Sequence, residues 1–224
     1  MTYTALVVDY GGVLTNSLAE TMGSWLAAEG VDGDVFAAAM RDLMGDRGAR
    51  VARDNPIHAL ERGEIEVPDF EHRLAGLLTS TTGEAVRADG LLSRMLGGFE
   101  RSENMLGVLR AVRSAGLKTA LLSNSWGLGY PREGWSELFD VTVISGEVGL
   151  RKPEPEIYHL CARQLGVAPE ECVFVDDLPP NVRGAVAVGM TGILHRTYEE
   201  TVAELDVLLG LSLCEDGPPA AGQE

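Results

Sequence analysis

Lysine is almost missing from this chain. Its 224 residues include two, Lys118 and Lys152, against sixteen arginines. Positive charge of any kind is scarce: 34 acidic residues face 18 basic ones, the formal net charge is −16 at pH 7, and the isoelectric point is about 4.6. No cluster of lysine and arginine occurs. That argues against nucleic acid as a partner and against an anionic membrane surface, since both need local positive charge to displace counterions. Cysteine is equally sparse. Cys161, Cys172 and Cys214 form no C-x-x-C pair and have no matching histidine spacing, so they read as free thiols of a reducing compartment. No apolar run approaches the length of a membrane span, and the N-terminus shows neither a basic n-region nor an apolar h-region. The expectation is a cytoplasmic chain without a signal peptide. G-x-x-x-x-G-K-[ST] and G-x-G-x-x-G are both absent, which removes support for a P-loop or a dinucleotide fold. The four histidines show no ligand spacing; His58 and His72 are the ones placed to touch a substrate. There is no internal repeat.

Hydrophobic residues make up 45% of the chain, enough for a sizeable core. Five short apolar runs have strand character: 4–9, 118–123, 141–145, 172–176 and 191–194. Several are continuous rather than alternating, as in a parallel sheet covered on both faces. Helical spacing separates them. Met105, Leu109 and Val112 mark a helix over 102–115, Pro155 opens one ending at Gly166, another covers 180–188, and Thr197 with Glu200 predicts a capping box before the last. Alternation of this kind predicts a doubly wound α/β fold, in which ligands gather at the carboxyl ends of the strands. From about residue 17 to 98 the rhythm breaks. Leu18, Met22, Trp25 and Leu26, then Phe36, Met40 and Leu43, then Phe70, Leu74, Leu77 and Leu78, then Leu91, Leu92, Met95 and Leu96 fall at helical spacing, with a short helix from Asn55-Pro56 between them. These predict an insert of four or five helices. The Pro/Gly-rich stretch 214–224 is expected to be disordered.

Chemistry-bearing residues collect at the predicted strand ends. Asp9 closes ALVVD, Ser123 closes TALLS, and Asp176 and Asp177 close CVFVDD. Lys152, in GLRKPEPEIY, is a compact ammonium in a chain that otherwise uses arginine. Carboxylates, a hydroxyl and an ammonium at loop mouths can hold a divalent cation and a phosphoryl group. A protein this acidic must shield an anionic ligand locally, and a bound cation is the usual means.

Four motifs in order resemble the haloacid dehalogenase superfamily, within it the phosphatases whose helical cap follows the first strand: VVDYGGV, LLSN, RKPEPEIY and FVDDLPPNVRGAVAVGM. The resemblance covers nearly the whole chain. It implies a Rossmann-like core of residues 1–16 and 99–213 with a helical cap at 17–98. It implies a Mg2+-dependent phosphatase acting on a small phosphorylated metabolite. Asp9 would be the nucleophile. Mg2+ would be held by Asp9, the Gly11 carbonyl and Asp177, with Asp176 behind them or bound through water. Ser123 would donate to a phosphoryl oxygen, Lys152 would neutralise its charge, and Tyr10, Gly12 and Asn124 would line the phosphate pocket, the first two through backbone N–H groups. Asn181 would anchor the loop of the fourth motif. Ser125 and Trp126 begin a Gly-rich loop at the pocket. One departure stands out: Gly11 occupies the position where the family usually has the acid/base aspartate. Two other readings follow, a metal-independent dehalogenase and a non-catalytic phospho-ligand module. Monomer and homodimer are both compatible with the sequence.

Overall fold

The structure, a computed structural model, describes residues 2–44, 55–83 and 85–213. The expected tail, with Cys214, lies outside the described residues. Five parallel strands form one sheet: β1 (Ala5–Val8), β2 (Lys118–Ser123), β3 (Val141–Ile144), β4 (Cys172–Asp176) and β5 (Thr191–Leu194), in the order β3-β2-β1-β4-β5. The four residues of β1 and the five of β4 are buried throughout. Continuous apolar runs therefore mark the strands covered on both faces. The reversal of strand order beside β1 opens the crevice where doubly wound sheets bind ligands.

Helices cover both faces. On one side α6 (Glu103–Ser114) and α11 (Tyr198–Leu209) close a cluster around Leu6, Val8, Leu109, Leu121 and Val175. On the other, α9 (Pro155–Leu165) and α10 (Pro179–Ala187) bury Ile157, Tyr158 and Ala185 against Val7, Leu122 and Phe174. The predicted helix boundaries agree to within a residue or two. At α11 half of the expected capping box forms: the Thr197 side chain accepts from Glu200 N at 3.2 Å, while the Glu200 carboxylate lies 3.9 Å from Arg196. Two four-residue helices, α7 (Trp135–Leu138) and α8 (Ser145–Val148), were not anticipated, being too short to show a period.

Between β1 and α6, the described residues form five helices: α1 (Leu18–Glu29), α2 (Gly33–Met44), α3 (Pro56–Glu61), α4 (Val67–Thr82) and α5 (Leu91–Leu96). They share a hydrophobic cluster of their own, with Trp25, Leu43, Leu60, Phe70, Leu74, Leu91 and Met95 buried. Leu18, expected on the buried face, is 36% exposed at the first turn. The chain enters and leaves this helical unit along paired segments. Thr15 bridges Arg101, Asn16 N donates to Glu100 O at 3.0 Å, and Ser102 N donates to Leu14 O at 2.9 Å. The unit therefore begins directly after the β1 loop. No helix among the described residues is long and apolar enough to cross a membrane.

Candidate active site

Asp9 follows β1, and its N–H donates to Val175 O of β4 at 2.9 Å, so the centre of the sheet fixes its backbone. Ser123 ends β2 on one side and Asp176 ends β4 on the other. After Asp9 the chain turns through Tyr10–Leu14, closed by Leu14 N on Tyr10 O at 2.9 Å. Gly12 takes a left-handed conformation in this turn (φ 74°), which glycine adopts without strain. Lys152 arrives from the loop between α8 and α9. Asn124 fixes that loop, accepting from Lys152 N at 2.8 Å and donating to Lys152 O at 3.0 Å.

The Lys152 ammonium is fully buried. It lies 2.8 Å from Asp9 Oδ1, 2.7 Å from Asp176 Oδ2 and 5.6 Å from the centre of the Phe174 ring. Asp176 is also fully buried, and donors crowd its oxygens: Asn181 Nδ2 reaches both at 3.0 and 3.1 Å, and Leu178 N reaches Oδ1 at 2.8 Å. Tyr158 holds Asn181 in turn, donating to its carbonyl at 2.8 Å. Asp177 is half-buried beside Gly12. Oxygens of Asp9, Asp176 and Asp177 lie within 4.8 Å of one another.

Charge here is unbalanced. Burial raises Asp9 to about 7; Lys152 opposes the rise, and Asp176 and Asp177 add to it. Burial, then Asp176, raises Asp177 to about 6. Burial pulls the Lys152 ammonium down, but Asp9 and Asp176 outweigh it and hold the group above the usual lysine range. With all three carboxylates ionised, one ammonium leaves two negative charges uncompensated, and the raised values of Asp9 and Asp177 reflect that cost. Hard oxygen donors with that deficit suit a small divalent cation such as Mg2+, which would neutralise them and keep Asp9 and Asp177 ionised. Donors saturate the Asp176 oxygens, whereas Asp177 is less engaged.

Most of the other residues singled out in the sequence already have partners within the protein, and Ser125 lines the cavity described below. Tyr10 N donates to Asp9 Oδ1 at 2.7 Å and Gly12 N to Thr15 Oγ1 at 3.2 Å, so both N–H groups already have acceptors. The Asn124 side chain is spent on the Lys152 backbone, which makes it a support for the lysine. Trp126 packs edge-on against Phe70 of α4, 6.0 Å between centroids, and belongs to the contact with the helical unit. Ser125 N donates to Ser145 Oγ at 2.8 Å, and Ser125 Oγ accepts from Gly127 N at 3.0 Å. The His72 ring meets Pro68 O of its own helix at 2.7 Å, exposed, and His58 sits half-buried on α3. Cys161 and Cys172 are buried, and burial holds both thiols far above their usual range.

Other contacts had no signal in the sequence. Tyr130 places its hydroxyl 2.9 Å from Ser123 Oγ, and burial raises that phenol to about 12. Glu61, at the end of α3, pairs with Arg151, the neighbour of Lys152, and its carbonyl accepts from Ser145 Oγ at 2.5 Å; Arg62 meets Glu154 at 3.1 Å. The helical unit is thereby tied to the loop that carries Lys152. A cavity of about 330 Å³ lies between these parts, lined by Leu60, Ile65 and Val67 on one side and Leu128, Tyr130 and Ile144 on the other. None of the three acids lines it, and Tyr130 stands at its boundary with Ser123.

The chain is similar to known proteins in sequence and in fold. The family profile for haloacid dehalogenase-like hydrolases matches residues 3–189. Acyl-CoA dehydrogenase family member 10 of Mus musculus is 30% identical over 94% of the chain, which spans only 20% of that protein's length. Sesquiterpene phosphatase astK of Aspergillus oryzae is 28% identical over 93% of the chain and 98% of its own length. Among solved structures, a HAD family enzyme from Bacteroides thetaiotaomicron in complex with magnesium and inorganic phosphate shares the fold at TM-score 0.58 and 20% identity, covering 87% of this chain and 94% of that one. A 2-haloacid dehalogenase from Pseudomonas syringae pv. Tomato shares it at TM-score 0.55 and 16% identity, covering 87% and 86%.

Proposed function

The chain belongs to the haloacid dehalogenase-like hydrolase family, and from that premise we propose that it is a Mg2+-dependent phosphatase of a small phosphorylated metabolite. The observation that carries this reading is the buried Lys152 ammonium bridging Asp9 and Asp176, with Asp177 completing a carboxylate cluster that lacks two positive charges. A halide-displacing site needs no such deficit. The phosphatase and magnesium relatives support the same choice.

Asp9, Asp177 and the Gly11 carbonyl would hold the ion, with Asp176 behind them; bound there, Mg2+ supplies charge compensation for the phosphoryl oxygens. Asp9 attacks phosphorus with a carboxylate oxygen. The new bond gives an aspartyl-phosphate as the bond to the leaving oxygen breaks, and water then hydrolyses the intermediate and restores the carboxylate. Lys152 offsets charge on the phosphoryl oxygens while fixing the orientation of Asp9. Ser123, at the end of the neighbouring strand, donates to one of those oxygens. Asn181 and Leu178 N keep Asp176 oriented toward Lys152. Gly11 brings no carboxyl group, so the leaving group departs on its own acidity or with a proton from substrate or water.

Residues 17–98 act as the cap on a core of 1–16 and 99–213. Asp9 is only 7% exposed; substrate would enter when the helical unit moves and react when it returns, with bulk water shut out. The test is a panel of phosphorylated metabolites, including isoprenoid and sugar phosphates, assayed with Mg2+ and with chelator, beside 2-haloacids assayed for halide release. Chelator-sensitive phosphate release is expected. Chelator-insensitive halide release would replace this reading with the dehalogenase, and no turnover of either kind together with tight phosphate binding would replace it with the ligand-binding module.

A further inference from the structure

We propose that Tyr130 is a positioning residue that aims the Ser123 hydroxyl at the phosphoryl group; this rests on the reading of Ser123 as a phosphoryl donor.

A serine hydroxyl is a rotor with one proton, and it serves an incoming anion only if that proton points the right way. Ser123 is 2% exposed, so its neighbours are protein groups. Its Oγ lies 2.9 Å from the Tyr130 hydroxyl, which also lies 3.4 Å from Asn124 O. The Ser125 hydroxyl is a further neighbour of the phenol; within the trio of Ser123, Tyr130 and Asn124 O, two arrangements are open. In one, Ser123 donates to Tyr130, and the phenol falls back on the long contact to Asn124 O. In the other, the phenol donates along the short contact to Ser123 Oγ, and the serine proton is left for a third acceptor. An anionic phosphoryl oxygen beside Ser123 selects the second. The phenol remains protonated at neutral pH, so it is a donor throughout turnover.

The ring is held firmly enough to perform this task. Its centroid lies 5.0 Å from Tyr10, edge-on at 79°, and 5.7 Å from Trp135, which packs at 5.8 Å on Phe139. Aromatic contacts of this geometry restrain rotation. The row thus runs from the neighbour of the nucleophile, through Tyr130, into the core. It gives Ser123 a fixed donor seven residues along the chain.

The experiment is a double-mutant cycle read by calorimetric titration of inorganic phosphate in the presence of Mg2+, on the full chain, with wild type, Tyr130→Phe, Ser123→Ala and the double variant. Phenylalanine keeps the ring contacts, and melting temperature confirms the fold. Loss of one oriented hydrogen bond is worth about three- to tenfold in affinity. Tyr130→Phe should weaken phosphate by that factor in wild type and by nothing further in Ser123→Ala. An equal penalty in both backgrounds would mean that Tyr130 acts independently of Ser123 and would overturn the proposal; so would no penalty in the single variant. If Ser123→Ala leaves phosphate affinity intact, the donor role of Ser123 fails and the proposal with it. Binding is measured without turnover, so a failure of the phosphatase reading itself appears separately, as missing phosphate release.

Discussion

A Cβ placed on Gly12 would stand 2.3 Å from Oδ2 of Asp177, far inside any real contact, on backbone at φ 74°. The turn after the nucleophile and the acid at the end of β4 are therefore fitted to each other through the missing side chain. Gly12→Ala should push Asp177 from its position and strain the turn by about 1–2 kcal/mol. The expected result is a melting temperature lowered by a few degrees and Mg2+ affinity weakened by about tenfold or more. A Mg2+ titration followed by thermal shift measures both. Unchanged affinity would separate Asp177 from the cation.

The neighbouring glycine behaves differently. A Cβ on Gly11 would meet only the Phe99 ring, at 3.7 Å, an ordinary contact. Gly11→Asp therefore meets no clash at its Cβ and, if its carboxyl clears the Phe99 ring, should place an acid where the family usually keeps one. General acid help is typically worth about 10²–10⁴-fold. Alkyl phosphates should gain most of it and activated phosphoesters least, flattening the dependence on leaving-group pKa. Turnover of a graded phosphomonoester series by both proteins is the measurement. A wild-type series that is already flat would mean that another group supplies the proton.

Acid should stabilise the metal-free protein. Asp9 sits at about 7 and Asp177 at about 6, both above the unfolded carboxylate value. The folded state thus binds these protons more tightly than the unfolded chain, and the stability they contribute is lost as pH rises through 6–7. Mg2+ needs the ionised forms, so its stabilising effect should grow over the same window. Melting temperatures at pH 5.5 and 8, with Mg2+ and with chelator, should show a small metal increment at the lower pH and a large one at the higher. Equal increments would contradict ligation by these two acids.

The two lysines should separate cleanly. Lys152→Ala leaves Asp9 and Asp176 buried without their shared cation, and removal of a preorganised charge at a phosphoryl site costs on the order of 3 kcal/mol, a hundredfold or more in turnover. Lys118 lies at the opposite end of β2 and donates to Leu165 O at 2.7 Å. Lys118→Ala should lower stability by about 1 kcal/mol and leave turnover unchanged. Comparable rates for the two variants would remove Lys152 from the chemistry.

What could be read in advance followed the physics of covered strands. Continuous runs such as ALVV and CVFV have few alternatives to a buried parallel strand, and their ends placed Asp9, Ser123 and Asp176 correctly because the strands lie in register. Partners from distant segments were hidden. Glu61 meets Arg151 across 90 positions, and nothing in the sequence pairs one acid among 34 with one arginine among sixteen. Tyr130 sits in a glycine-rich loop with no period, so its return to Ser123 is a matter of loop path. Asn124 follows Ser123 and so reads as a pocket residue; its side chain is turned instead to the Lys152 backbone, which it holds through both polar groups.

The central claim is that Asp9 is the nucleophile of a Mg2+-dependent phosphoryl transfer. Asp9→Asn is nearly isosteric and keeps an oxygen near Lys152, so the fold should survive, while an amide cannot form the aspartyl-phosphate. The decisive measurement is phosphate release by wild type and Asp9→Asn at saturating Mg2+, on whichever phosphomonoester the wild type turns over. Wild-type release with no detectable release by a folded Asp9→Asn is the predicted result. Substantial release by Asp9→Asn would contradict it.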